Sequence, residues 1–370
     1  MLRVLLSKTF EISHGTRKPI LAMEGLRGFA VFLVFLVHYV SQALPLVGDA
    51  GWSGKIAWGL QRYGHTGVDL FFVLSGFLIY GSIIEKPRPF LGFMRRRVVR
   101  IYPTFLTILA VYVALSFVRP ESSRIPEGLG AATIYLIQNA LLLPGIFPIE
   151  PIITVSWSLS YELFYYLVIP LVVGALGLRQ RSRLARVLFF FIVSIGWLLS
   201  ADHIGALGYG RLVMFVSGIL LKEALDAGLG PRADLLGLPA LAATVVAVLY
   251  GEAHHLGGEW RFGCLFVGFL ILCLAAFGRD GFTARVFSWT PMRWLGNMSY
   301  SYYLVHGLIL SVVFIPLGSL VEGKDLGVVA FWLFLGPMFL LTLVGSAVVF
   351  LLVEKPASLG KPKPRSHPGP

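Results

Sequence analysis

Long apolar stretches, separated by short polar and basic segments, run through most of this sequence. A helix needs about 20 largely apolar residues to cross the hydrocarbon of a bilayer. The stretches that come close to this length cover residues 28–46, 67–84, 101–118, 155–176, 186–201, 204–221, 235–250, 261–278, 299–317 and 327–353. The pattern predicts an all-α polytopic membrane protein, a bundle of about ten transmembrane helices. The stretch 204–221 is the weakest, because Arg211 lies inside it.

The basic residues predict the orientation of this bundle. With the N-terminus inside, the cytoplasmic segments hold 24 Lys and Arg residues and the external loops hold 5. Loops that stay in the cytoplasm are enriched in Lys and Arg, so this ratio favours an arrangement with both termini in the cytoplasm. The opposite orientation would place nearly every basic cluster on the wrong side of the membrane.

The composition supports a membrane protein and argues against other classes. The chain is 56% hydrophobic and 14% charged, whereas soluble proteins carry about 25% charged residues. The net charge of +12 does not indicate nucleic-acid binding, because the basic residues lie between apolar runs rather than on one soluble face. Cys264 and Cys273 fall in one apolar stretch and form no disulfide framework or metal-ligand pattern. We therefore expect no metal site.

We expect a single membrane domain over residues 1–356. No internal repeat is evident, and residues 1–23 lack the apolar core and cleavage site of a signal peptide. The last segment, residues 357–370, is rich in proline and basic residues, which predicts a disordered cytoplasmic tail.

Two ionisable residues share one face of the first predicted helix. Arg27 and His38 are eleven residues apart, which is close to three full turns and roughly 16 Å along the axis. Ionisable side chains inside a span are costly and are therefore candidates for function. An anionic substrate entering near Arg27 would reach toward a base at His38. The alternative is that His38 packs against a neighbouring helix and Arg27 anchors the helix end.

The second predicted span carries Asp69 near its external edge, with Ser75 deeper in the helix. A carboxylate inside a membrane normally faces water or a cation, and a carboxylate bonded to one imidazole nitrogen fixes the tautomer of that ring. We therefore expect Asp69 to pair with His38. The alternative is that Asp69 caps the start of its helix, where the macrodipole favours an anion.

A basic run precedes the third predicted span, in the segment "FLGFMRRRVVRIYP". Within it, Arg97 and Arg100 are three residues apart and are therefore neighbours on one helix face. Paired guanidiniums suit phosphate groups, which they bind bidentately. The alternative is a topology signal in contact with anionic lipid, and for the pair taken alone this is the better explanation.

Glu162 lies inside the fourth predicted span among aromatic residues that include Trp157 and Tyr161. Its carboxylate suits acid–base chemistry or the binding of a hydroxyl, and aromatic faces are natural platforms for sugars. An aromatic belt at the membrane interface would explain the rings but not Glu162. In the ninth predicted span, His306 lies among tyrosines; the alternative to a functional role is a satisfied interior histidine. With Ser75, Trp157 and Tyr161, it forms the predicted substrate pocket.

Six segments taken together resemble the acyltransferase-3 family of membrane acyltransferases. In chain order they read "LRGFAVFLVFLVHY", "GVDLFFVLSGFLI", "RRVVRIYP", "VSWSLSYELFYY", "LGNMSYSYYLVH" and "VEKP". Apolar strings match by chance, so each segment is weak alone. Six in the family's order, from residue 24 to residue 356, are specific.

The resemblance implies a membrane O-acyltransferase that takes an acyl group, usually acetyl, from cytoplasmic acyl-CoA. The implied acceptor is a sugar hydroxyl on an extracytoplasmic polysaccharide, glycolipid or glycoside, and the implied location is the cell inner (plasma) membrane. Position by position, it implies catalytic roles for His38, Asp69 and Glu162, and acyl-CoA binding by Arg27, Arg97 and Arg100. The segment "SYEL" has a single acidic residue, Glu162, where the family more commonly has an acidic pair.

The implied partners are acyl-CoA (acetyl-CoA) as donor substrate, the sugar acceptor and the lipid bilayer, with no bound cofactor and no nucleic acid. The resemblance is compatible with either a monomer or a homo-oligomer. Two mechanisms also stay open: His38 activates the acceptor hydroxyl directly, or His38 is itself acylated. The rival function is a transporter or flippase for a sugar or lipid-linked sugar, which would also bury polar residues in mid-membrane.

Overall fold

The computed structural model describes residues 9–12, 20–47, 51–200, 209–278, 281–321 and 325–359. These residues form helices and turns, and no strand occurs among them. In chain order the α-helices are α1 (Leu21–Ala43), α2 (Gly51–Gly64), α3 (Thr66–Ile84), α4 (Phe90–Val118), α5 (Leu129–Ala140), α6 (Trp157–Ala175), α7 (Arg183–Leu199), α8 (Val213–Asp226), α9 (Gly237–Ala253), α10 (Gly258–Ala276), α11 (Phe282–Phe287), α12 (Thr290–Asn297), α13 (Ser299–Leu320), α14 (Gly327–Val349) and α15 (Lys355–Ser358).

Eight segments of the described chain are long and apolar enough to cross a membrane. They are Leu21–Leu46, Gly51–Ile84, Phe90–Val118, Thr154–Ala175, Gly230–Ala253, Gly258–Ala276, Ser299–Leu320 and Gly327–Ser358. Each overlaps one of the stretches predicted from the sequence, and the all-α, membrane-spanning class is confirmed.

The other two predicted spans correspond to shorter helices. Helix α7 has 17 residues and α8 has 14, which at 1.5 Å per residue is about 26 and 21 Å, less than the roughly 30 Å of a bilayer core. Residues 204–208 of one of these spans lie outside the described residues, as does most of the predicted tail, from residue 360 onward. The count of ten spans and the N-in/C-in orientation therefore stay predictions.

Helix α1 lies at the centre of the bundle, in contact with α2, α3, α11, α12 and α13. Its approach to α12 is so close that only glycines fit at the crossing. A β-carbon on Gly28 would lie 2.0 Å from the carbonyl oxygen of Met292, and one on Gly296 would lie 1.7 Å from the carbonyl oxygen of Glu24. Small residues allow helix backbones to meet in this way inside a membrane. The crossing places Arg27 beside the start of α13.

A second glycine crossing joins α3 to α8. A β-carbon on Gly76 would lie 2.1 Å from the carbonyl oxygen of Phe215, and one on Gly218 would lie 2.0 Å from that of Val73. Helix α3 also packs against α1 and α6. Since α3 carries Asp69 and Ser75, its contacts with three neighbouring helices decide which side chains these two residues meet.

Candidate functional site

Three arginines from two helices converge on one cavity of about 80 Å³, which we call the arginine pocket. Arg27 comes from the first turns of α1, and Arg97 and Arg100 come from one face of α4. The residues that line this pocket are Arg27, Ser75, Leu78, Ile79, Arg97, Arg100, Ile101, Glu162, Tyr166 and Tyr300. Five of these residues were candidates from the sequence and therefore line the same cavity: Arg27, Ser75, Arg97, Arg100 and Glu162.

Different partners hold the three guanidiniums of the arginine pocket. Arg27 donates from Nε and Nη2 to the hydroxyl of Ser299, at 3.2 and 3.1 Å. Arg97 lies over the rings of Phe93 and Tyr166, with 5.1 and 5.0 Å from its Cζ to the two ring centres. A cation on an aromatic face keeps its N–H edge available to an anion.

Arg100 is held by a carboxylate. Its Nη1 donates to Oε1 of Glu354 at 2.7 Å, and its guanidinium lies 5.8 Å from the centre of the Tyr300 ring. Glu354 is fully buried. Because the buried acid neutralises part of the charge brought by the arginines, the pocket can concentrate three guanidiniums in the protein interior.

Glu162 faces the arginine pocket from α6. Its Oε1 accepts a hydrogen bond from Ser75 at 3.3 Å and another from the hydroxyl of Tyr166. Glu162 also interacts electrostatically with Arg27. The sequence named Ser75 and Glu162 separately, and the structure brings them into contact beside cations that the sequence did not connect to this carboxylate.

A second cavity, of about 70 Å³, adjoins the arginine pocket. The two share Arg27, Ser75, Glu162 and Tyr300 in their walls. We call this second space the middle cavity. Its remaining lining is mainly apolar, with Val68, Phe71, Phe72 and Leu159, and includes Ser158, Ser299 and Tyr303.

His38 lines a third and larger cavity of about 370 Å³, which we call the His38 cavity. Tyr303 belongs to the walls of both this cavity and the middle cavity. The Tyr303 hydroxyl is 2.8 Å from that of Ser158 and donates to the carbonyl oxygen of Val155 at 3.1 Å. The three cavities therefore form a row from the arginines to His38, with Tyr303 between the last two.

The lining of the His38 cavity is largely apolar, but beyond His38 it carries a group of polar residues, which we call its polar wall. It includes Gln42, Ser116, Arg119, Arg124 and Ser311. Gln42 lies one turn beyond His38 on α1, so these groups are at the end of the bundle opposite the arginine pocket. The cavity can hold a hydroxyl-rich group next to an imidazole.

His306 lies directly against His38, with 4.9 Å between the ring centres. His306 is fully buried, and its Nδ1 is 2.9 Å from the carbonyl oxygen of Tyr302. A carbonyl only accepts, so Nδ1 carries the proton and Nε2 is left as an acceptor. Among the described residues Nε2 has no hydrogen-bond partner. His306, which the sequence placed in the substrate pocket, lines none of the three cavities. It meets the candidate site only through its contact with His38.

The predicted pairing of Asp69 with His38 is wrong. Both carboxylate oxygens of Asp69 lack a hydrogen-bond partner within the described part of the chain, and Oδ1 lies 3.5 Å from Nη1 of Arg211. Arg261 also interacts electrostatically with Asp69. The α3–α8 crossing brings Arg211, just before α8, to Asp69. As for the alternative, Asp69 lies in the first turn of α3, where the macrodipole favours an anion, but it accepts no hydrogen bond from a described backbone N–H.

The two aromatic residues predicted for the substrate pocket lie elsewhere. Tyr161 is buried against Phe72, Trp157 and Tyr209. Trp157 packs under the guanidinium of Arg211 at 5.6 Å and lines a separate cavity of about 420 Å³ formed largely by residues 145–151. Neither residue lines the arginine pocket or the middle cavity.

Comparison with known proteins decides the family. A model of the acyltransferase-3 family, described as an acyltransferase domain, matches residues 20–351. The chain belongs to this family. The match covers the helices that build all three cavities, from α1 to the turn after α14. No solved structure matches the chain.

Three similar proteins carry functional names. The putative peptidoglycan O-acetyltransferase YrhL of Bacillus subtilis is 26% identical over 322 residues, covering 77% of this chain and 47% of YrhL. The O-acetyltransferase OatA of Staphylococcus aureus is 25% identical over 322 residues, covering 79% and 50%. The acyltransferase MdmB of Streptomyces mycarofaciens is 26% identical over 377 residues, covering 93% of each chain. This chain thus spans about half the length of YrhL and OatA.

Sequence reasoning missed two residues of this candidate site, Glu354 and Tyr303. Glu354 appeared only as part of the "VEKP" segment. A carboxylate at the end of a long apolar stretch indicates that a buried cation or hydrogen-bond donor faces it, and this signal could have identified Glu354. Tyr303 appeared only as one of several tyrosines in "LGNMSYSYYLVH". Its place between two cavities depends on how α13 packs, which no local pattern encodes.

Proposed function

We propose that this chain is a membrane O-acyltransferase of the cell inner (plasma) membrane. It transfers an acyl group, acetyl in the first instance, from cytoplasmic acyl-CoA to a sugar hydroxyl on an extracytoplasmic glycan, glycolipid or glycoside. The observation that carries this proposal is the row of three cavities that begins at three arginines and ends at His38. The names of YrhL, OatA and MdmB support it.

The arginine pocket is proposed to bind the phosphates of acyl-CoA. Arg27, Arg97 and Arg100 supply charge-assisted hydrogen bonds, which are the strong kind for phosphate. The pantetheine arm of CoA carries the thioester away from these phosphates. The arm would follow the middle cavity past Tyr303 and bring the acyl group toward His38, roughly 16 Å from Arg27 along α1.

At His38 the thioester meets the acceptor. In the direct route, the imidazole takes the proton of the sugar hydroxyl, the oxygen attacks the thioester carbonyl, the carbon–sulfur bond breaks, and CoA leaves as the thiol after taking up a proton. In the covalent route, an imidazole nitrogen attacks the same carbonyl, the carbon–sulfur bond breaks, and CoA leaves as the thiol after taking up a proton. The sugar hydroxyl then attacks the acyl-imidazole, the carbon–nitrogen bond breaks, and the freed imidazole takes up the hydroxyl proton. Both routes need the reactants held in a fixed orientation.

The two routes are separated by a trapping experiment. The protein is incubated with labelled acetyl-CoA in the absence of an acceptor, and His38 is then examined by mass spectrometry after mild proteolysis. Acetyl on His38 supports the covalent route. CoA release that begins only when an acceptor is added, with no label on the protein, supports the direct route.

The His38 cavity is proposed to bind the acceptor. Its polar wall of Gln42, Ser116 and Ser311, with Arg119 and Arg124 beyond, suits a sugar that enters from the end opposite the arginines. The name of YrhL refers to peptidoglycan, so a cell-wall glycan chain is the first acceptor to test.

Acyl-CoA consumption tests the proposal. The protein is reconstituted in liposomes with labelled acetyl-CoA on the side of the arginine pocket and glycan chains on the other side. The expected result is stoichiometric release of CoA and of O-acetylated glycan, both absent from protein-free liposomes. Movement of the glycan across the membrane with no release of CoA would contradict the proposal and favour a transporter.

A further inference from the structure

Glu354 is a buried carboxylate beside the arginine pocket. Its side chain is fully buried. Oε1 accepts from Nη1 of Arg100 at 2.7 Å, and Oε2 accepts from the backbone N–H and the hydroxyl of Ser301 at 3.1 and 2.6 Å. Both oxygens are therefore used, one for the arginine and one for the start of α13.

The local backbone explains how Glu354 reaches these partners. After α14 the chain makes a π-helical turn over Phe350–Glu354 before α15 begins. A π-turn inserts a residue into the helical repeat and changes the direction of the side chains that follow, and such turns often occur at functional sites. Here the side chain at the end of the turn points inward, toward α13 and α4.

The start of α13 links two of the pocket's arginines. The first N–H groups of a helix have no partner within the helix and favour an anion, which Glu354 supplies at Ser301. In the same turn, Ser299 accepts from Arg27. Displacing Glu354 would thus release Arg100 directly, while Arg27 keeps its own contact.

We propose that Glu354 is a positioning residue for the acyl donor: it orients the Arg100 guanidinium in the arginine pocket without contacting the donor. Glu354 itself is absent from the lining of that pocket. A guanidinium has five N–H donors, and Glu354 engages Nη1 alone. The remaining donors stay available for a phosphate. This inference rests on the proposed function.

Glu354→Gln tests the proposal with little change of shape. The amide oxygen still accepts from Ser301, but the charge that holds Arg100 is lost. We expect the KM for acyl-CoA to rise about tenfold, as for the loss of one charge-assisted hydrogen bond, with kcat nearly unchanged. Glu354→Asp keeps the charge on a shorter arm, so its KM should lie between those of the wild type and Glu354→Gln.

A double-mutant cycle separates positioning from a purely structural role. If Glu354 acts through Arg100, Glu354→Gln should change the donor KM little in an Arg100→Ala background, because the two substitutions remove the same interaction. Multiplicative effects of the two substitutions on KM would contradict the proposal. So would a fall in kcat and thermal stability with an unchanged KM in either Glu354 variant.

Glu24→Gln is the matched control. Glu24 is also a buried carboxylate on an arginine, with 2.9 Å between its Oε2 and Nε of Arg293, but neither residue lines the arginine pocket. We expect its substitution to lower stability without raising the donor KM. Absence of acyl-CoA turnover in the wild type would refute the proposed function, whereas normal wild-type turnover with unchanged KM in both Glu354 variants would refute this inference alone.

Discussion

Arg97 illustrates at the scale of single residues how a cation is kept available for a ligand. Arg27 and Arg100 are bound by Ser299 and Glu354, while Arg97 lies over two rings. Rings fix the position of the guanidinium but use few of its N–H donors. Arg97 should therefore contribute more directly to donor affinity than its neighbours in the basic run.

Replacement of Arg97 by alanine should weaken acyl-CoA binding by about tenfold or more, because a hydrogen bond to a charged group contributes about 1.5–3 kcal/mol. The dissociation constant of acyl-CoA is measured by titration of the protein in detergent. Arg95→Ala is the control, since Arg95 belongs to the same basic run but is exposed and lies outside the pocket lining. Equal losses in the two variants would mean that the run acts only through its general charge.

Asp69 is a buried charge whose contribution to stability depends on its partner, Arg211. Asp69→Asn leaves Arg211 without its carboxylate, and breaking a buried pair costs about 3–5 kcal/mol. We expect a clear fall in the melting temperature in detergent, and recovery of part of it when Arg211→Met is added. An unchanged melting temperature with a lost transfer rate would instead assign Asp69 to the chemistry.

At the scale of helices, two glycine crossings determine which side chains meet. The α1–α12 crossing brings Arg27 to Ser299, and the α3–α8 crossing brings Asp69 to Arg211. Backbones that approach this closely leave no room for a β-carbon. The positions of the polar side chains in the candidate site therefore depend on glycines that contribute no side chain to it.

Gly28→Ala tests this dependence at the α1–α12 crossing. The new methyl group would lie 2.0 Å from the carbonyl oxygen of Met292, and overpacking of this kind typically costs about 1–3 kcal/mol. We expect a lower melting temperature and, because Arg27 directly precedes Gly28, a higher KM for acyl-CoA. Gly336→Ala in α14 is the control, since nothing lies within 4 Å of its added β-carbon. Similar behaviour of the two variants would refute the role of the crossing.

These crossings also explain what the sequence could and could not predict. Apolar length alone identified the membrane helices, and helix periodicity placed Arg27 and His38 on one face of α1. The partner of Asp69 could not be found in this way, because Arg211 is distant in sequence and reaches Asp69 only through the packing of α3 on α8. The position of Trp157 under Arg211, away from Glu162, depends on the same packing.

At the scale of the whole molecule, the three cavities lie in a row along the bundle, with Tyr303 between the middle cavity and the His38 cavity. The arginine pocket lies at one end and the polar wall of the His38 cavity lies at the other. Transfer from a cytoplasmic donor to an external acceptor requires the arginine end to face the cytoplasm, which the distribution of Lys and Arg predicts.

Reporter fusions test this orientation. A reporter at residues 86–89, between α3 and α4, and one after residue 359 should be active only in the cytoplasm. A reporter at residues 120–128, between α4 and α5, should be active only outside, because α4, which lies between these positions, is long and apolar enough to cross the membrane. A cytoplasmic signal from residues 120–128 would reverse the proposed direction of acyl transfer.

The central claim is that acyl-CoA binds at the arginines and reacts at His38. It is tested most directly by measuring both steps in His38→Ala, with acyl-CoA binding followed by titration and transfer followed by single turnover. We expect the affinity for acyl-CoA to be nearly unchanged and transfer to fall by about 10²–10⁴-fold, or more if His38 is acylated. Near-normal turnover in His38→Ala would contradict the claim and move the chemistry to His306 or Glu162.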